Sequence, residues 1–298
     1  MTDAGHSEDL YHKYQKAEEL YKNGKYEEAE KLFRETAEGR KTTLGVNNPD
    51  TLWSKHHLAE SLYHQGKYEE AENVFREAAE GRKISLGVNN PDTLWSKHRL
   101  AESLYRQGKY NEAENIFRET AEGRKDGLGV DNPDTLWSKH YLAESLYHQG
   151  KYEEAETVFR ETAEGRKISL GENNPDTLWS KHRLAESLYR QEKYNVAEII
   201  FRETAEGRKL TLGADDANTL WSKHYLAESL YHQGKYGEAE KVFRETADGR
   251  EKTLGADHSD TLWSRMGLEK TLKKLPGIQP ATIELFDDMN EYNEEYVQ

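Results

Sequence analysis

Apolar residues recur along this chain as two alternating stripes at helical spacing, and the whole pattern returns every 42 positions. The unit from Asn48 to Gly87 shows the logic. Leu52, Leu58, Ala59 and Leu62 lie on one face of a predicted first helix, helix A. Asn48 supplies the N-cap, Pro49 takes the first helical position, and Asp50 places a negative charge at the positive end of the helix dipole. Gly66-Lys67 interrupts the pattern. Tyr68, Ala71, Val74, Phe75 and Ala78 then predict a second helix, helix B, which runs to Leu86 and stops at Gly87. Helix B spans 19 residues, roughly 28 Å at 1.5 Å per residue. Neither helix can bury its stripe alone, so consecutive hairpins must stack. The 3.6-residue period throughout excludes a propeller blade, which needs short alternating strands.

Full hairpins are expected over residues 7–48, 49–90, 91–132, 133–174, 175–216 and 217–258, followed by a capping helix at 259–275. The first helix A is divergent, with Tyr11 in the Trp position and Ala17 and Leu20 in the core. The cap carries Glu269 where other units have Ala, together with Lys270, Lys273 and Lys274. This suits a terminal layer that faces water. Residues 1–6 are expected to be disordered. Residues 276–298 are expected to form an acidic amphipathic helix or tail, with Leu285, Met289, Tyr292 and Tyr296 on one side.

Variants of "NNPDTLWSKH" recur with every Trp of the chain: Trp53, Trp95, Trp137, Trp179, Trp221 and Trp263. With Leu52 set at zero and about 100° per residue, the leucines and Ala59 of helix A fall at about 240–340°, whereas Trp53 falls at about 100°. Trp53, His57, Glu60 and His64 therefore form a second stripe, almost opposite the core. In the next unit it reads Trp95, Arg99, Glu102, Arg106. The two variable positions of the stripe alternate: His57/His64, Arg99/Arg106, Tyr141/His148, Arg183/Arg190, Tyr225/His232. Growth by duplication of an 84-residue pair is the simplest origin of that alternation.

"GKYEEAE", followed by Phe75, Ala78 and "LGVNNPDTL", resembles a tetratricopeptide (TPR) repeat of the 42-residue type, as in kinesin light chains and the arrays of fungal STAND-type NTPases. In the second unit the matching positions are Pro49, Asp50, Leu58, Ala59, Gly66, Tyr68, Ala71, Phe75, Ala78, Leu86 and Gly87. The resemblance covers residues 7 to 275 without insertion or deletion. It implies an all-α, right-handed superhelical solenoid of antiparallel helix pairs: six full repeats plus a C-terminal capping helix or hairpin. It also implies a non-enzymatic scaffold that binds a protein or peptide in a concave groove lined by helix A, as part of a larger signalling protein. Two positions depart from the pattern. Lys55 stands where an apolar residue is usual, and Gly81 replaces a larger one. For Lys55 the expectation is a buried stem with its ammonium paired to a helix B Glu. For Gly81, repeated in every unit at about 1 kcal/mol each, it is a close helix approach or a kink.

The expected ligand-binding positions are Trp53, Trp95, Trp137, Trp179 and Trp221, with His57, Arg99, Tyr141, Arg183 and Tyr225, and with His64, Arg106, His148, Arg190 and His232. Two readings stay open for the Trp row: a packing ladder on a solvated face, or aromatic anchors of a ligand groove. The cations Arg99, Arg106, Arg183 and Arg190 favour an acidic partner, and the indoles an aromatic one. The acidic, aromatic stretch "ELFDDMNEY" of the chain's own tail is one candidate, giving self-association through tail-groove contacts. A self-assembling structural array without an external ligand is the alternative.

Composition removes other classes. The net charge of −14 argues against nucleic-acid binding. No apolar run approaches 18 residues and no signal-peptide core is present, so the expectation is a cytoplasmic protein without membrane association. Cysteine is absent, which removes disulfides and thiolate chemistry. No P-loop, G-x-S-x-G or H-E-x-x-H motif appears, and no cofactor is expected. The row His56, His98, His140, His182 and His224 is expected at the groove edge as ordinary polar surface, not as a metal site. The Asn- and Asp-rich loops lack EF-hand spacing and act as helix caps.

Overall fold

The computed structural model describes residues 3–276, with side chains from residue 8 onward. The expectations for the tail lie outside the described residues. Those residues form an all-α repeat array of 13 helices: α1 (Asp3–Lys22), α2 (Tyr26–Leu44), α3 (Pro49–His64), α4 (Tyr68–Leu86), α5 (Pro91–Arg106), α6 (Tyr110–Leu128), α7 (Pro133–His148), α8 (Tyr152–Leu170), α9 (Pro175–Arg190), α10 (Tyr194–Leu212), α11 (Ala217–His232), α12 (Tyr236–Leu254) and α13 (Ser259–Leu272). Odd-numbered helices from α3 onward are the helices A of the sequence, and even-numbered ones the helices B. α1 begins ahead of the expected Ser7.

The chain divides into two compact units, residues 1–158 and 159–298, with the break inside α8. In the first unit each helix from α1 to α7 packs on its sequence neighbours. In the second the same holds from α9 to α13.

Each element is locally specified. The Asn48 side chain accepts a hydrogen bond from the Asp50 N–H at 2.9 Å, and Asn90, Asn132 and Asn174 repeat this cap. Asp216 caps α11, where Ala217 replaces the usual Pro, and His258 caps α13. The turn between the two helices of a hairpin needs a left-handed residue, supplied by Gly66 at φ 76°. Glu192 occupies the same place at φ 60°, the one non-Gly residue with positive φ among the described residues.

The core is thin and regular. Phe33, Phe75 and Phe117 in the first unit, and Phe159, Phe201 and Phe243 in the second, are fully buried with the Ala and Leu of the two stripes. Each such Phe contributes about 1.5–3 kcal/mol of burial. Gly81 shows why helix B has a glycine: a Cβ there would meet Leu52 Cδ2 at 2.5 Å. The close approach expected of this glycine is present. So is the predicted snorkel, since Lys55 is buried along its stem and its Nζ reaches Glu77 Oε2 at 2.7 Å.

A polar relay joins successive hairpins. Arg82 in α4 donates through Nη1 to the Asp92 carbonyl at 3.0 Å and to Ser96 Oγ at 2.7 Å, both in α5. Ser96 Oγ in turn lies 3.2 Å from His56 Nδ1 in α3. One serine thus ties three consecutive helices. Arg124, Ser138 and His98 repeat the motif in the first unit, and Arg208, Ser222 and His182 in the second. The histidine row is therefore not the polar edge the sequence suggested. His56, His98 and His182 are buried to 3% exposure or less. Burial lowers the pKa of these imidazoles and holds them neutral, against the opposing pull of Glu102 on His98 and of Glu186 on His182.

Candidate functional site

Within each unit, the stripe on helix A separates into four rows that differ in depth. In the indole row, Trp53, Trp95 and Trp179 stay 36%, 42% and 39% exposed. Trp137 and Trp221 are half-buried, each with its ring 5.6 Å from Tyr141 or Tyr225 one turn on.

The second row, at the 57-type position, faces the preceding hairpin. His57 stacks on the buried Phe33 at 5.4 Å, Tyr141 on Phe117 at 5.4 Å, and Tyr225 on Phe201 at 5.4 Å. Arg99 replaces the ring with a guanidinium 4.3 Å from the centre of Tyr63. Arg99 Nε and Nη2 donate to Glu60 Oε1 and Oε2 at 2.6 and 2.7 Å, and Nη1 donates to Glu102. Glu60 and Glu102, the third row, are buried. Burial alone would raise the Glu102 carboxyl, but His98 and Arg99 beside it hold it at about 2. Burial opposes the Arg99 charge, yet Glu102 and Glu60 together keep that guanidinium above its ordinary value. Arg183 donates through Nη1 to Glu186 in the same manner. The variation in this row thus has a packing reason, and the charges of Arg99 and Arg183 are directed at internal carboxylates.

The fourth row is exposed: His64, Arg106, His148, Arg190 and His232. His64, His148 and His232 lie flat on Tyr26, Tyr110 and Tyr194 at 4.7, 4.8 and 4.6 Å. Arg106 Nε donates to the Tyr63 hydroxyl at 3.1 Å. The expected ligand positions therefore fall into an indole row and a His/Arg row that face outward, with a largely covered row between them. Sequence reasoning did not single out the Arg82–Ser96–His56 relay. Its signal was available: Arg, Ser and His recur at fixed places in each hairpin from the second to the sixth, although none is apolar.

Among the described residues no group of three or more His, Asp or Glu is arranged to hold a metal ion, and no helix is long and apolar enough to cross a membrane.

A tetratricopeptide repeat family model matches residues 7–84, 54–126, 92–168 and 134–210, and a second such model matches 219–260. Among solved structures, the chain is similar to a Podosopora anserina putative kinesin light chain with nearly identical TPR-like repeats. The two share 24% identity, and the match covers 70% of this chain and 98% of that one with a TM-score of 0.62. It is also similar to a STAND protein with a tetratricopeptide repeat sensor from Pyrococcus horikoshii, at 16% identity, 93% and 40% coverage and a TM-score of 0.73. A third likeness is the apo form of RapI, at 14% identity, 89% and 97% coverage and a TM-score of 0.60. At these identities the likeness is one of fold. No curated protein sequence matches the chain.

Proposed function

We propose, on the premise that the chain belongs to the tetratricopeptide repeat family, that it is a non-enzymatic scaffold which takes a protein or peptide on the outward rows of its first helices. The observation that carries this reading is the exposure of Trp53, Trp95 and Trp179 on well-anchored helices, each with a His or Arg three turns further along the same face. Trp and Arg are the side chains that most often dominate binding energy, and a rigid mount removes the ordering cost that flexible loops carry. Arg106 and Arg190 stand out in the exposed row of a protein whose net charge is −14, so the partner is acidic there and aromatic toward the indoles. The likeness to a STAND protein with a TPR sensor is consistent with a place in a larger signalling protein.

The test compares proteins retained by the full chain with those retained by a Trp95→Ala, Trp179→Ala variant and by an Arg106→Glu, Arg190→Glu variant. Because Trp95 also bonds the buried His56 and Arg106 the Tyr63 hydroxyl, unchanged helical circular dichroism of both variants is the condition for the comparison. Loss of the same acidic partners from both variants is the expected result, and an identical retained set would sink the reading.

A second reading, self-assembly without a ligand, draws on one observation. In the first unit Leu44, Val46, Leu86, Val88, Leu128 and Val130 form an exposed apolar series at the ends of α2, α4 and α6, between 40% and 50% exposed. Light scattering over a concentration series separates it: a constant monomer mass removes it.

A further inference from the structure

Arg40, Arg82 and Arg250 of the relay have aromatic rings beside their guanidinium groups. The Arg40 guanidinium lies 4.5 Å from the Tyr14 ring centre, and Arg82 lies 4.4 Å from Trp53. By repeat symmetry Trp95 should cover Arg124. Instead Trp95 turns to the preceding hairpin, and its Nε1 donates to His56 Nε2 at 2.6 Å. A cavity of about 610 Å³ opens between Trp95 and Arg124, within the roughly 300–1,000 Å³ range of small-ligand sites.

A second departure in the same hairpin keeps the space clear. At the position of Thr43 and Ser85 the third repeat has Gly127, which lines the cavity; a Cβ there would meet nothing within 4 Å. Arg124 is 3% exposed, and its hydrogen bonds all run through Nη1, to the Asp134 carbonyl at 2.9 Å and Ser138 Oγ at 2.8 Å. Both acceptors are neutral, and Asp134 and Glu102 act on this charge only from beyond ion-pair distance. A buried guanidinium with only neutral acceptors is electrostatically undersatisfied. Glu60 also lines the cavity, but Arg99 holds its carboxylate.

We propose that this cavity binds a small aromatic ring that carries a carboxylate on a short saturated arm. The ring takes the place over Arg124 that Trp53 takes over Arg82, and the carboxylate accepts from the guanidinium edge that has no protein partner. Stacking on a guanidinium and a charge-assisted hydrogen bond are then satisfied by one molecule. Asp134, on the same wall, disfavours ligands with a second negative charge. Trp53 and Trp95 of the indole row also line this cavity, but its floor is Arg124 and Gly127, which lie outside the rows proposed to receive a protein.

Calorimetric titration of the full chain with indole-3-acetate tests this, with indole-3-acetamide as the neutral control. One site per chain is expected, with the acid bound at least tenfold more tightly than the amide. Gly127→Ser refills the cavity at a position with open space, and should weaken the acid at least tenfold. Ser85→Gly, at the same place in the second repeat, should leave binding unchanged, as should Arg106→Glu, which removes an outward cation. Absence of heat, equal binding of acid and amide, or full affinity in Gly127→Ser would each overturn the proposal. Loss of acid binding in Arg106→Glu with full affinity in Gly127→Ser would place the acid in the groove, and the proposal would likewise fall.

Discussion

Arg99 sits between two buried carboxylates from adjacent hairpins, and Arg99→Ala should be among the most damaging single changes in the array. Glu60 and Glu102 are 7% and 3% exposed, and both are bonded to the Arg99 guanidinium. Removing one partner of a buried ion pair leaves an uncompensated charge, which costs about 3–5 kcal/mol. The loss should depend on pH, and the sign is fixed. In the parent chain the Glu102 carboxyl is held at about 2, below its unfolded value near 4.3, so its contribution is full above about pH 4.3 and fades as pH falls toward about 2. Without Arg99, burial raises that carboxyl, and a protonated Glu102 no longer needs a cation. The difference between parent and variant should therefore be largest at pH 7 and shrink by pH 4. Urea unfolding followed by circular dichroism at both values measures it, with Arg99→Met as the control for lost packing. A destabilisation below about 1 kcal/mol at pH 7, or one that is the same at pH 4, would show that solvent screens the cluster and refute the argument.

Two further outcomes follow from the packing. Gly81→Ala gains about 1 kcal/mol of helix propensity, but its Cβ would lie 2.5 Å from the buried Leu52 Cδ2. Overpacking of that kind costs about 1–3 kcal/mol, so a net loss in urea midpoint is expected, and a stabilised variant would refute the close approach. Acid should weaken the array before the carboxylates titrate. His56, His98, His182 and His224 are buried with pKa values below the ordinary 6.5, so only the unfolded chain binds those protons. Their contribution is full above about pH 6.5 and is lost as pH falls, by up to about 1.4 kcal/mol per pH unit for each. Glu228, whose carboxyl burial pushes up, opposes this with a single proton. A urea midpoint that does not move between pH 7.5 and 5.5 would refute the neutral burial of the row.

Much of the fold was legible because it rests on local rules applied repeatedly. The Asn-Pro starts, the Gly66 turn and the Gly87 stop mark the bounds of α3 and α4, and the spacing alone pairs Lys55 with a helix B carboxylate. The stripe of Trp53, His57, Glu60 and His64 was also legible as a face. What helical angles could not supply was depth. A helix A is flanked by two neighbours, so a residue at an intermediate angle is covered or exposed according to what the adjacent hairpin places there. Hence His56, read as an edge, is buried against Ser96, and Glu60 is buried under Arg99. Nor could periodicity reveal that Trp95 differs from Trp53, since the decapeptides around the two indoles are identical.

The alternation of the repeats acquires a physical meaning from the same cluster. Arg99 bonds one carboxylate of its own helix and one from the helix A before it, so a single cation serves two layers. The layer that follows is then released from supplying a charge. It carries Tyr141, which stacks on Phe117 and adds apolar contact. In the second unit Arg183 bonds Glu186, and Tyr225 of the next hairpin stacks on Phe201. At the capping helix the series ends in Gly267, where any Cβ would strike Phe243 Cε1 at 2.4 Å, and Glu228 is left without an arginine. The smallest self-consistent block is therefore a pair of hairpins, 84 residues long. An array lengthened by one 42-residue unit would place two rings or two arginines in succession, leaving a buried glutamate unserved or two cations contending for one carboxylate.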